Sequence, residues 1–356
     1  MGLAPANVPP TSPPERVAAG GVDLAIWRTI VGKHLVTGAT GLIGSAIAQQ
    51  LVEADHEVVA LVRPGTDASG LEAIGIRIAR GDLTDPGSVR DAIVGCEGAF
   101  HSAAMVGTPK QDFATSERVN VGGTITLLDM AREAGVGRVV AISTGDAFDS
   151  DVTLTEHTPV HPNPHDDPYT VTKIKAFQET MRRVEDGQDV VIVLPGASFG
   201  PSPMGRRMVE IPGGNQRLSR ALRGEPARYL PMVAPWSCIT DVAAVCLAAF
   251  ERGVTGERYL GLGAPDCVMS ISQFVNRAME VAGVDNRVEE IGKDELEDPK
   301  LVEQFGPTLM GHARRPPRPH PAFDATETSR VLGYQFVSVD QRLGETVEWM
   351  RRTGLI

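Results

Sequence analysis

Thr37-Gly38-Ala39-Thr40-Gly41-Leu42-Ile43-Gly44 is the stretch that decides the fold. It follows a short apolar run over 34–36 and leads into an amphipathic pattern over 43–53. It therefore reads as a glycine-rich turn between a strand and a helix. The first glycine permits the tight turn, the second lets a pyrophosphate approach the backbone, and the third lets helix and strand pack closely. Gly38, Thr40, Gly41, Leu42, Ile43 and Gly44 are thus candidate dinucleotide-binding residues; a purely structural turn is the alternative.

Outward from this turn, apolar runs at 58–62, 76–79, 99–101, 139–142 and 190–194 alternate with helical patterns at 86–94, 116–134 and 169–184. Strands that are apolar throughout and separated by helices predict a parallel sheet covered on both faces. The fold class expected is a doubly wound α/β (Rossmann) domain over residues 31–200, with ligands at the carboxyl ends of its strands. Residues 201–356 are expected to form mainly a smaller, interleaved substrate-binding domain, because 201–235 are rich in arginine, proline and glycine and 286–322 are charged and proline-rich. A strand near 258–261 is expected to return to the sheet, and 339–352 carry one more helical pattern. Residues 1–30, with five prolines among small and polar residues, read as a flexible extension.

The chain has 356 residues, enough for a large core, with 42% hydrophobic and 22% charged residues. A formal net charge of −11 argues against a nucleic-acid surface. No apolar stretch approaches the roughly 20 residues of a membrane span. Four widely spaced cysteines without a Cys-x-x-Cys pair favour reduced thiols in a cytoplasmic protein.

The end of the second strand bears on which dinucleotide is bound. An acidic residue there would hold the ribose hydroxyls of NAD, but this chain has Val62-Arg63-Pro64, and Glu57 opens the strand instead. A guanidinium suits a 2′-phosphate, so NADP is the expected cofactor, with NAD the alternative and a solvent-facing arginine the bland reading of Arg63. Asp82 and Leu83 follow the third strand and can meet the adenine. Ser102, Ala103 and Ala104 end the fourth, where bulk would collide with a cofactor.

Tyr169 and Lys173 stand four residues apart, on one face of a helix. Hydride transfer to a carbonyl needs a proton donor at the oxygen and a group that holds that oxygen. A phenol with an ordinary pKa near 10 is a poor acid–base group at pH 7. A neighbouring ammonium would lower that pKa. Tyr169 is therefore the candidate acid–base group, Lys173 its tuner and ribose anchor, and Thr144 the partner of the substrate oxygen. A surface ion-pair-like spacing is the alternative.

Taken together, the motifs resemble the extended short-chain dehydrogenase/reductase family over about residues 33–352. They are TGATGLIG at 37–44, GDLTD at 81–85, HSAA at 101–104, N-x-x-G-T at 120–124, IST at 142–144, YTVTK at 169–173, LPGASFGP at 194–201, ITDVA at 239–243 and LGY at 332–334. Val62-Arg63-Pro64 and the tail look most like the dihydroflavonol-reductase-like group. The resemblance implies a nicotinamide carboxamide near Pro195 and Ser198, a supporting role for Asn120, and a homodimer built from the helices carrying Asn120 and Tyr169.

Departures from the sugar-nucleotide members narrow the chemistry. Leu194, Ala197 and Ala234 stand where those enzymes place Arg, Asn and Arg, and Gly145-Asp146 replaces the dehydratases' Asp-Glu. The expected activity is NADP-dependent hydride transfer to or from a small carbonyl or alcohol. A nucleotide-sugar 4-epimerase and a catalytically silent cofactor-binding protein are the alternatives. Arg206, Arg207, Arg217 and Arg223 are the residues that could restore phosphate contacts. His157, His161 and His165 have helical metal-site spacing, but the prolines among them forbid a regular helix, so no metal is expected. The 313–319 run reads as an internal connection, and Met204, Met208 and Met232 as lining an apolar pocket or as core.

Overall fold

The computed structural model describes residues 32–106, 112–148, 151–161, 167–305, 310–311, 313–314 and 322–356. The proline-rich start, His165 and the arginine–proline run 315–319 lie outside the described residues.

Six strands arise from the apolar runs: β1 (Lys33–Thr37), β2 (Glu57–Val62), β3 (Arg77–Arg80), β4 (Gly98–His101), β5 (Arg138–Ile142) and β6 (Val190–Pro195). Two short strands follow, β7 (Ala197–Phe199) and β8 (Arg228–Tyr229), then β9 (Val233–Cys238), β10 (Arg258–Gly261), β11 (Val268–Ser270) and β12 (Glu289–Glu290). The main sheet has seven strands in the order β10-β6-β5-β4-β1-β2-β3, and every neighbouring pair is parallel. The chain reverses direction across the sheet between β1 and its neighbours β2 and β4, which opens a crevice at the carboxyl end of β1.

Alternation of side chains explains why these strands are apolar throughout. Val36, Val58 and Ala60 face one core, with Ile47 and Leu51 of the helix Leu42–Glu53 and Val242 and Val245 of the helix Ile239–Arg252. Leu35, Val59 and Leu61 face the other, with Val89 and Ile93 of the helix Pro86–Ile93 and Leu127 and Leu128 of the helix Gly123–Glu133. The inner strands are sandwiched between helices, so neither face has to be polar, whereas β3 at the sheet edge exposes Arg77 and Arg80.

Three features depart from the sequence reading. The helical pattern over 116–134 is not one α-helix. It begins as Phe113–Ser116, passes through a π-helical stretch, Glu117–Gly122, and resumes as Gly123–Glu133. Hydrophobic periodicity does not register the extra residue of a π-turn, and such turns often mark functional sites. The 201–235 region also carries more order than its composition suggests, including the helix Gly214–Leu222, the strand β8 and the start of β9, the middle strand of a small sheet ordered β11-β9-β7. Met204 and Met208 pack in the main core and Met232 against a separate cluster, so the three line no common pocket.

A buried ion pair fixes the carboxyl-terminal helix Val339–Arg352 to the body. The Arg342 guanidinium donates to both carboxylate oxygens of Asp241, and the Tyr334 hydroxyl donates to the same carboxylate at 2.5 Å. Asp241 and Arg342 are each about 1% exposed, so neither charge has water to fall back on. The carboxylate holds the Arg342 pKa above its ordinary value.

Candidate active site

The crevice at the end of β1 is shaped for a pyrophosphate. Gly38 lies at φ 72°, and a Cβ there would come within 2.6 Å of the Ala103 amide nitrogen. A Cβ on Gly44 would fall 2.3 Å from the Gly38 carbonyl oxygen. The turn closes through Gly41 N–H donating to that oxygen at 2.9 Å. Gly41 caps the helix Leu42–Glu53 without a side-chain hydrogen bond, and no acidic residue stands in its first turn. The amino end of the helix therefore keeps amides and positive dipole available to an anion. Nearby, the buried Ser143 hydroxyl has no hydrogen-bond partner among the described residues, a vacant polar valence that a bound polar group would fill. These features fit a dinucleotide.

The residues flanking the turn sit as follows. Arg63 is exposed just beyond β2 and forms no ion pair among the described residues; its charge acts on Asp82. Asp82 accepts from the Thr84 amide at 2.8 Å and hydroxyl at 2.7 Å, which holds its carboxyl below the usual range. The Leu83 side chain is in the core, where a Cβ on Gly123 would strike it. Ser102, Ala103 and Ala104 are partly exposed beyond β4. Pro195 ends β6, and Ser198 lies on β7 with its hydroxyl on the Gly196 carbonyl at 3.2 Å. Two arginines join this group that the motif reading did not assign to the cofactor. Arg80 ends β3 with its guanidinium on the Thr66 carbonyl at 2.7 Å, and Arg207 Nε donates to the Thr40 carbonyl in the glycine-rich turn at 3.0 Å.

Tyr169 and Lys173 rise from the helix Pro168–Glu185, whose start is set by Asp167 accepting from Thr170 N–H at 2.8 Å and by proline at the first position. Lys173 is buried and donates to the Ile142 carbonyl at the end of β5 at 2.7 Å; burial lowers its pKa to about 8. Tyr169 is partly exposed. Burial pushes the phenol pKa up and the Asp146 charge adds to the push, while a hydrogen bond with Thr144 opposes both. Thr144 itself is buried and accepts from the Asp146 amide at 3.3 Å. The carboxylate beside the phenol, Asp146, was visible in sequence only as a departure two residues after Thr144.

Asn120, on the π-helical stretch, is tied three ways. Its oxygen accepts from Met105 N–H at 2.7 Å, and its amide donates to the Met105 carbonyl at 3.2 Å and the Thr172 hydroxyl at 2.9 Å. A buried chain continues from there through His101. The Thr124 hydroxyl donates to the Asn120 carbonyl at 2.7 Å, so it must accept from His101 Nε2 at 3.0 Å. His101 Nδ1 must then accept from the Thr37 hydroxyl at 2.8 Å, whose oxygen accepts from Ala103 N–H at 3.4 Å. The partners assign one neutral tautomer. Burial lowers the His101 pKa to about 3, with the Lys173 charge assisting.

Comparison with known proteins places this site in a family. The family model described as "NAD dependent epimerase/dehydratase family" matches residues 34–260. The chain is 30% identical over 336 residues to sterol demethylase protein B of Methylococcus capsulatus, covering 90% of this chain and 99% of the relative. It is 27% identical to cinnamoyl-CoA reductase 1 of Petunia hybrida, covering 92% and 95%. Its fold matches that of DesIV, a dTDP-glucose 4,6-dehydratase from Streptomyces venezuelae solved with NAD and TYD bound. The TM-score is 0.71 at 25% identity, covering 90% of this chain and 97% of that one. The protein belongs to the NAD-dependent epimerase/dehydratase family, within the extended short-chain dehydrogenases/reductases. A nicotinamide dinucleotide is the cofactor class of that family. No helix among the described residues is long and apolar enough to cross a membrane.

The neutral His101 makes a pH prediction. An unfolded histidine titrates near 6.5, so between pH 6.5 and about 3 the unfolded state binds the extra proton and stability falls as pH falls. For His101→Asn, the loss of unfolding free energy between pH 7 and 4.5 should shrink by about 2 kcal/mol relative to wild type. Urea titrations at the two pH values measure it; an unchanged difference would place a charged imidazole in the native chain.

Proposed function

We propose that the protein is an NADP-dependent oxidoreductase that moves a hydride between the nicotinamide and a ketone or aldehyde, or the corresponding alcohol. The carrying observation is the convergence of the Tyr169 phenol and the Thr144 hydroxyl at the carboxyl end of β5, beside the glycine-rich turn. The dinucleotide supplies the hydride equivalent. Thr144 holds the substrate oxygen by hydrogen bonding. Tyr169 gives a proton to that oxygen during reduction and takes it back during oxidation. Lys173, held on the Ile142 carbonyl, keeps a cation at the base of the site and anchors the ribose. Asn120 positions the helix through Thr172.

Phosphate discrimination rests on Arg63. It is exposed and without an ion pair among the described residues, and no acidic residue ends β2. Arg80 and Arg207 add positive charge on the same side, since both act on Asp67. Ala197 on β7 and Ala234 on β9 stand where a diphosphate would need partners, and Leu194 is spent in the core. Burying a diphosphate without such partners costs several kcal/mol, which favours a largely apolar carbonyl substrate over a nucleotide sugar.

Tyr169→Phe is expected to remove nearly all turnover while leaving cofactor affinity within a few-fold, as steady-state rates and a cofactor titration will measure. Retention of more than about a tenth of kcat would exclude Tyr169 as the acid–base group. Arg63→Ala should weaken NADPH binding roughly ten- to a hundredfold and leave NADH binding nearly unchanged. Equal losses in paired Kd measurements would make Arg63 structural and end the NADP assignment. The helices carrying Asn120 and Tyr169 pack together, with Lys175 paired to Glu117 at 2.5 Å and Arg183 to Asp129 at 3.1 Å. A homodimer through this helix pair is expected, read by light scattering at micromolar concentration; a monomeric mass would reject it.

A further inference from the structure

Residues 202–207, which follow β7 and open the substrate-side region, lie across two elements of the dinucleotide fold. The Ser202 hydroxyl is 2.8 Å from that of Ser45 in the helix Leu42–Glu53, and both residues are buried. Pro203 presses on the helix Ser69–Glu72, which comes soon after the loop that follows β2: a Cβ on Gly70 would fall 2.3 Å from the Pro203 carbonyl oxygen. Buried Met204 and Met208 seat the crossing in the main core, and Arg207 N–H donates to the Met204 carbonyl at 3.3 Å. The Arg207 side chain then turns to the glycine-rich turn, where its Nε donates to the Thr40 carbonyl at 3.0 Å. Residues 203–207 thus bridge from the segment after β2 to the turn after β1. The bond to Thr40 uses Nε alone, and the terminal nitrogens keep the planar fork of donors that grips a phosphate.

The sheet says which phosphate. β1 and β2 pair in parallel with Thr37 opposite Leu61, and β2 and β3 with Val62 opposite Arg80. The glycine-rich turn and the loop bearing Arg63 therefore leave the sheet side by side. In a dinucleotide fold the adenosine ribose lies between that turn and the end of the second strand, with its 2′ substituent toward the strand end. The bridge made by residues 203–207 spans the same gap. Two further contacts set the charge there. Arg80 donates to the Thr66 carbonyl at 2.7 Å, and the Asp67 carboxylate accepts from Ser69 N–H at 2.9 Å. The Ser69 bonds hold the Asp67 carboxyl below its usual range, and the charges of Arg207 and Arg80 lower it further. The diphosphate has its own partners in the amides at the start of the helix Leu42–Glu53.

We propose that Arg207 is a second recognition residue for the 2′-phosphate of NADP, supplied by the substrate-side region and meeting from the turn the group that Arg63 meets from β2. This rests on the NADP reading above and deepens it: cofactor choice is shared between the dinucleotide domain and the segment that leads into the substrate-binding region. The alternative role for the Arg207–Thr40 bond is a staple that shapes the turn for any dinucleotide.

Calorimetric titration of the full-length protein with NADPH, NADH, 2′,5′-ADP and 5′-AMP tests it without any substrate. Arg207→Met should weaken NADPH and 2′,5′-ADP roughly tenfold or more, the size of a charge-assisted contact, while NADH and 5′-AMP stay within about twofold. Arg207→Lys, which keeps the charge and loses the fork, should retain part of the preference. Arg207→Gln serves if the methionine variant does not fold. Equal losses for NADPH and NADH would make Arg207 a staple of the turn or a diphosphate contact and overturn the proposal. An NADPH affinity unchanged in Arg207→Met would overturn it too. The two readings fail differently. A wild-type preference for NADPH that survives Arg207→Met and vanishes in Arg63→Ala rejects this proposal alone. A wild-type protein that binds NADH as tightly as NADPH rejects the NADP reading and this proposal with it.

Discussion

One buried line of hydrogen bonds holds the two halves of the candidate site in register. It runs from Ala103 N–H through Thr37, His101 and Thr124 to the Asn120 carbonyl, and from the Asn120 amide to Thr172 on the helix of Tyr169 and Lys173. One end is Ala103, set close against Gly38 of the glycine-rich turn, and the other is the helix of Tyr169 and Lys173. Thr37, His101, Thr124, Asn120 and Thr172 are all buried, so each of their donors must find an acceptor, and the direction of donation is fixed along the line. Burial and the Lys173 charge keep the His101 imidazole neutral, and the committed Thr124 hydrogen then fixes which nitrogen carries its proton. The π-helical stretch at Glu117–Gly122 has a physical purpose in this light: it carries Asn120, whose amide and carbonyl both serve the line.

Electrostatics around the phenol are poised rather than settled. Burial and Asp146 hold the proton on Tyr169, and Thr144 draws the other way. The ammonium of Lys173, buried and softened to about 8, is anchored on the β5 carbonyl at Ile142. A phenol held neutral suits protonation of a developing alkoxide, the reductive direction. Asp146 disfavours the phenolate that oxidation would need as a base. This gives a physical reason to favour reduction in the proposed reaction.

The sequence made the sheet legible because the signal was repeated. The same alternation that put Val36 in one core and Leu35 in the other recurs in β2, and a glycine-rich turn follows β1. The π-turn was not legible, since it changes hydrogen bonding without changing the apolar pattern. Nor was the role of His101: a histidine in a strand is equally at home as a packed core residue, and only its partners reveal the line. Arg207 and Arg217 looked alike in a basic, proline-rich stretch. Tertiary structure separates them: Arg207 leans on the Thr40 carbonyl, whereas Arg217 forms no ion pair among the described residues. The carboxylate whose charge acts on the phenol, Asp146, was not legible, because no spacing rule links positions 146 and 169.

The central claim is that hydride leaves the dinucleotide for good and ends on the substrate. Tracing the label from NADPH deuterated at C4 of the nicotinamide tests it most directly, with carbonyl compounds and UDP-sugars incubated in parallel and products read by mass spectrometry. The account predicts deuterium on the carbinol carbon of an alcohol product, with one oxidised cofactor formed per alcohol. Interconversion of UDP-sugars, with catalytic cofactor and no carbonyl compound in the panel taking up label, would contradict it.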